Sequence, residues 1–121
     1  MKTGYAEPLI VVTVNGHKVS LPTQNIIYIY VQTRKLHIIT TKGEIVTGDT
    51  FDAVEAQLRN NSNFCEPHRS YLVNLEYVQS YDKDKIFCAH SGRTYEVYLS
   101  RRKYDDFSKR FVEWIGGSYE D

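Results

Sequence analysis

The dipeptide Asn15-Gly16, set between the β-branched run Pro8–Val14 and the return run His17–Leu21, restricts the fold more than any other feature. Both residues accept the positive φ of a type I′ turn, so a two-residue link between such runs closes a β-hairpin. Similar punctuation recurs along the chain. Ile26–Val31 and Leu36–Thr40 flank the polar break Gln32–Lys35, Lys42-Gly43 turns into Glu44–Thr47, and His90–Arg93 turns between Ile86–Ala89 and Thr94–Leu99. Tyr71–Leu75 and Val78–Tyr81 complete the expected strands. Only two stretches change period. Phe51, Val54 and Leu58 predict a short helix that starts near Thr50 and stops at Asn60-Asn61. Tyr104, Phe107, Phe111 and Trp114 predict a second helix, with Ser100 as its N-cap. The expected fold is mainly β and antiparallel, with a short central helix and a C-terminal helix.

A chain of 121 residues and 14.1 kDa has room for one domain, 1–121, with a core over about residues 9–115 and short tails. Hydrophobic residues at 41% and charged residues at 25% suit a chain that buries its own core. No apolar run approaches the ~20 residues of a membrane span, and the longest aliphatic one is Leu9–Val12. The N-terminus carries no apolar region of the signal-peptide kind. Two cysteines in a self-sufficient domain point to reduced thiols and a cytoplasmic setting. Fifteen cations balance fifteen anions, so any case for a nucleic-acid partner rests on where the charge is placed.

Three segments break local rules. The second helix is expected to open with Arg101-Arg102-Lys103, cations at the positive end of a helix dipole, while Asp105 and Asp106 come a turn later. A helix start loaded with cations suits phosphates or base edges, because backbone N–H groups and side chains point the same way. The second segment runs Phe64-Cys65-Glu66-Pro67-His68-Arg69-Ser70 into the strand Tyr71-Leu72-Val73-Asn74. Pro67 stiffens an extended connector and presents His68 and Arg69, whose planar fork matches guanine or phosphate; the bland alternative pairs Arg69 with Glu66 or Glu76. The third is the cationic tip Thr33-Arg34-Lys35, commonplace by itself.

The stretch Cys65-Glu66-Pro67-His68-Arg69-Ser70-Tyr71-Leu72-Val73-Asn74 resembles the His-Arg-Ser-Tyr-Leu-Val-Asn signature of LytTR-type DNA-binding domains. Asn25–Ile29 is similar to that family's early Ile-x-Tyr-Ile strand, Thr50–Leu58 to its short helix, and Tyr95–Arg102 to its closing strand and Ser-Arg helix start. The resemblance runs from about Leu9 to Trp114. It departs at Tyr30, where the family usually has Glu, a change that bears on packing beside the Thr33–Lys35 loop.

The resemblance implies an elongated β-β-β sandwich of antiparallel sheets whose loops enter successive major grooves of duplex DNA. It implies a bacterial transcription regulator on imperfect direct repeats, a monomer in solution paired on DNA, with a receiver domain or a regulatory protein as controller. The family's three reading loops map to Thr33, Arg34 and Lys35; to His68, Arg69 and Ser70; and to Ser100, Arg101, Arg102 and Lys103. Arg69 and Arg101 are the expected base readers. Arg34, Lys35, Arg102 and Lys103 are the expected phosphate contacts, and Ser70 and Asn74 order the loops.

Two other readings compete. Cys65, His68, Cys88 and His90 make a Cys₂His₂ set, but Cys88 lies inside an apolar strand where a cysteine behaves as a small hydrophobe, so no metal or cofactor is expected. Tyr28, Tyr30, Tyr71, Tyr95 and Tyr98 lie in strands and could stack bases, which would suit a module for single-stranded nucleic acid or for protein; strand tyrosines more often pack in a core. No glycine-rich phosphate loop, nucleophile motif or framed carboxylate pair points to an enzyme.

Overall fold

The structure is a computed structural model that describes residues 8–119, with side chains through residue 117. The Asn15-Gly16 turn does close a hairpin, of β1 (Leu9–Val14) and β2 (His17–Pro22), with φ of 51° and 80° at the two turn residues. A five-stranded antiparallel sheet follows. It is built from β3 (Ile26–Gln32), β4 (Lys35–Thr40), β5 (Gly43–Thr47), β6 (Phe64–His68) and β7 (Tyr71–Asn74), in the order β5-β4-β3-β7-β6. The third sheet is β10-β9-β8, from β8 (Val78–Tyr81), β9 (Lys85–His90) and β10 (Arg93–Tyr98). Helix α1 (Phe51–Leu58) is capped by Thr50, whose hydroxyl accepts the Ala53 N–H at 3.1 Å. Helix α2 (Tyr104–Tyr119) closes the chain. Among the described residues no helix is long and apolar enough to cross a membrane.

The central sheet is buried on both faces, which explains why its strands carry apolar residues at successive positions rather than at every second one. Ile29, Leu36, Ile38 and Leu72 face the first hairpin and α1, packing with Ile10, Val12, Val54 and Leu58. Ile27, Val73 and Leu75 face the third sheet and α2, packing with Ile86, Cys88, Val97, Leu99 and Phe107. The outer edge of β1 is closed by side chains. Gln57 accepts the Val11 N–H and donates to the Val11 carbonyl, both at 2.9 Å; Asp49 accepts the Thr13 N–H at 2.8 Å and Thr47 donates to the Thr13 carbonyl at 2.6 Å. An edge finished in this way offers no template to another strand.

Two expectations need correction. The segment before His68 is not a loop: Phe64–His68 is an edge strand, with a bulge between Cys65 and His68 that accommodates Pro67. Arg101–Lys103 is not the first turn of α2 but a separate 3₁₀ turn, and the Ser100 side chain makes no capping bond. The α-helix proper starts at Tyr104, so Asp105 and Asp106 occupy its first turn and satisfy the dipole. The cations precede the helix instead of opposing its field.

Asn74 ends β7 at 1% exposure, donates to the Ile26 carbonyl at 2.8 Å and accepts the Glu76 N–H at 2.9 Å. Asn74→Ala leaves that buried carbonyl without its partner and should lower stability by about 1–3 kcal/mol in urea unfolding. Burial also pushes the thiols of Cys65 and Cys88 and the Tyr28 phenol up to about 12. The unfolded chain ionises these groups from pH about 9–10 upward while the native state keeps its protons. Stability from this source is intact below about pH 9 and falls towards pH 12. Urea midpoints measured from pH 8 to 11 should decline, and both thiols should resist labelling at pH 8 until the protein unfolds.

Candidate nucleic-acid interface

The hairpin β3–β4 turns through Thr33 and Arg34, both in the left-handed region with φ of 53° and 62°. A β-branched residue is costly there, by roughly 1–2 kcal/mol, and neither position carries the Gly or Asn that normally relieves it. The paired ends of β3 and β4 impose this turn despite its strain and set Arg34 at the apex, with Thr33, Arg34 and Lys35 all exposed. A second loop, Arg69-Ser70, joins β6 to β7. Its Ser70 N–H donates to Nδ1 of His68 at 3.1 Å, which leaves Nε2 as the N–H donor of the neutral ring. The third segment is Ser100 and the 3₁₀ turn Arg101–Lys103.

Hydrogen bonds tie these three segments together. The Val31 N–H, near the end of β3, donates to the Ser70 carbonyl at 3.1 Å; the Ser100 N–H donates to the Pro67 carbonyl at 3.0 Å. Lys103 Nζ adds a clamp, 3.2 Å from both the carboxylate and the backbone carbonyl of Glu66. Glu66 therefore engages Lys103 and not Arg69. His68, Arg69, Ser100, Arg102, Lys103 and Asp106 line one recess of about 520 Å³ at this end, and Arg101 does not line it. Arg69, Arg101 and Arg102 are exposed.

Behind the loops lies a row of rings. Strand register places Val46, His37, Tyr30, Tyr71 and His68 side by side across β5-β4-β3-β7-β6. Tyr30 stacks on His37 with centroids 4.7 Å apart and on Tyr71 at 5.9 Å, and Tyr28 stacks on both tyrosines. Tyr28, Tyr30 and Tyr71 thus spend their faces on one another and on neighbouring strands. Burial raises the Tyr30 and Tyr71 phenols above their ordinary range. The departure at Tyr30 has a packing consequence: its ring bridges His37 to Tyr71 directly behind the Thr33-Arg34 turn.

Acidic groups near the first helix are engaged elsewhere, Glu55 with Arg59 at 2.6 Å and Asp49 with the β1 backbone. Among the described residues no group of three or more His, Cys, Asp and Glu comes together in a way that could hold a metal. His90 packs edge-on against Tyr77, and Cys65 and Cys88 are free thiols within the second core.

A model of the LytTr DNA-binding domain family matches residues 16–112. The chain belongs to that family. It is a DNA-binding domain of the type used in transcription regulation. Among solved structures, the LytTr DNA-binding domain of a protein described as a methyl-accepting/DNA response regulator from Bacillus cereus superposes with a TM-score of 0.64 at 13% identity. The match covers 88% of this chain and 98% of that one and bears on the fold alone. No curated protein sequence matches.

Sequence patterning misses the Glu66–Lys103 contact and the Val31–Ser70 and Pro67–Ser100 bonds, because partners more than thirty residues apart, or joined by backbone atoms, leave no local signal. The residues Thr33 and Arg34 are read as a cationic tip, but the left-handed backbone of their turn is not, since the sequence lacks the usual Asn-Gly mark. Replacing them together, Thr33→Asn with Arg34→Gly, should raise stability by about 1–2 kcal/mol in urea unfolding while weakening duplex binding. A gain in both would contradict a functional use of the strained turn.

Proposed function

We propose that this LytTr domain reads duplex DNA in a sequence-specific way through three segments: Thr33, Arg34 and Lys35; His68, Arg69 and Ser70; and Ser100, Arg101, Arg102 and Lys103. The observation that carries the proposal is the set of hydrogen bonds that gathers these segments, remote in sequence, at one end of a chain with no net charge. A balanced protein attracts a polyanion only through such local concentration of cations. In this reading Arg69 and Arg101 meet base edges in the major groove, each able to accept a bidentate match to guanine. Arg34, Lys35 and Arg102 hold phosphates and set register. Lys103 contributes charge while it clamps the second and third segments.

The proposed partner is a direct-repeat operator, read with one domain per repeat, the protein being monomeric off DNA. The proposed setting is the bacterial cytoplasm, as the output domain of a response regulator or as a regulator governed by another protein. Selection from a random duplex library at about 0.15 M salt tests the reading, because non-specific attraction is weakened there. Recovery of a short motif repeated at about one helical turn is the expected result, and no enrichment would count against it. On the recovered duplex, Arg101→Ala and Arg69→Ala should each lower specific binding about 10- to 100-fold and relax preference at one base. Arg102→Ala should weaken selected and scrambled duplexes alike and make the salt dependence shallower by about one ion.

A further inference from the structure

Tyr98 is 55% exposed, one of the few large apolar side chains left open to solvent, and it stands between the second and third DNA-facing segments. Its ring meets Tyr71 edge-on at 5.6 Å and His68 at 6.4 Å, and two residues on the chain enters Ser100-Arg101. The hydroxyl makes no hydrogen bond to any described residue, and the ring fills no core position. Contacts with Tyr71 and His68 account for one side of the ring and leave the rest of it open to solvent. Tyr71, by contrast, is held by Tyr30 and Tyr28 behind it, so Tyr98 rests on a rigid backing.

The surroundings define what such a ring could meet. Arg69, Arg101, Arg102 and Lys103 present only N–H donors, and His68 presents Nε2–H because its Nδ1 is already taken by Ser70. Donors outnumber the Asp106 carboxylate and the Ser100 hydroxyl that share the recess at this end, and they match the acceptors of the major groove, namely guanine O6 and N7, adenine N7, thymine O4 and the phosphates. They have nothing for the one apolar group the groove displays, the thymine 5-methyl. Tyr98 is the apolar surface among these groups.

We infer that Tyr98 is a specificity-determining contact that packs against a thymine 5-methyl group between the bases met by the second and third segments. This rests on the duplex-reading proposal above and adds to it a base that no charged residue reads. Removing Tyr98 should cost preference for thymine at one position and little else, since an exposed ring leaves no cavity.

The test uses the whole domain and three proteins, unchanged, Tyr98→Ala and Tyr98→Phe, each taken through the random-duplex selection. The unchanged protein and Tyr98→Phe should recover a motif with a thymine that Tyr98→Ala no longer requires. Replacing that thymine by deoxyuridine in the selected duplex should weaken the unchanged protein about fourfold, the contribution of one buried methyl, and leave Tyr98→Ala unaffected. The same thymine preference in Tyr98→Ala overturns the inference. So does a uniform loss on all duplexes, which would put the ring on the sugar-phosphate backbone, or a deoxyuridine duplex bound as well as the original. Failure of the unchanged protein to select any motif overturns the duplex-reading proposal first, and this inference falls with it.

Discussion

The end of the protein proposed to meet DNA depends on the loop between β6 and β7. Its neighbour Pro67 accepts the Ser100 N–H at 3.0 Å, and its Ser70 accepts the Val31 N–H at 3.1 Å. One short loop is thus bonded through its backbone environment to the strand that leads into the Thr33-Arg34 turn and to the turn that carries Arg101 and Arg102. Backbone bonds of this kind survive side-chain substitution, so the arginines can vary in role without loss of the frame that aims them. The Lys103–Glu66 contact reinforces the same junction with side chains that remain partly exposed and contribute little energy by themselves.

That frame is stiff because the five-stranded sheet behind it is clamped from both sides. Ile29 and Leu72 belong to the core shared with the first hairpin and α1, while Val73 and Ile27 belong to the core shared with the third sheet and α2. Tyr28, Tyr30 and Tyr71 continue the second core outward as stacked rings, ending at His68 and Tyr98 beside the loops. The strain at Thr33 and Arg34 persists because β3 and β4 are paired from Ile26–Thr40 through Gln32–Lys35 and leave the turn no freedom to relax. Rigidity of this order lowers the entropy lost when a surface docks on a duplex.

Much of the architecture is legible in the sequence because it is written in local marks. Asn15-Gly16 and the Ser91-Gly92 turn close their hairpins as the turn residues require, and Thr50 caps α1 one residue before Phe51. The failures share a physical cause. Pro67 argues against a strand, yet an edge strand with a bulge tolerates it, and Phe64–His68 pairs with β7. Ser100 has the chemistry of an N-cap, but a 3₁₀ turn intervenes and the helix begins at Tyr104. The candidate site was visible as three irregular cationic segments and as a signature heptad. Their convergence was not visible, because it is made by bonds such as Val31 to Ser70 and Glu66 to Lys103, across 39 and 37 positions of chain.

The central claim is that these three segments form one face that meets the duplex. Backbone amide shifts of the isotope-labelled domain, followed during titration with duplex DNA, test it most directly. The account predicts that perturbations concentrate at residues 33–35, 68–70 and 98–103. It predicts that α1 and the turns at Thr41-Lys42 and Ser91-Gly92, at the opposite end of the sheets, stay in place. Perturbation centred on α1 or on those opposite turns, with the Arg69 and Arg101 amides unmoved, would contradict it.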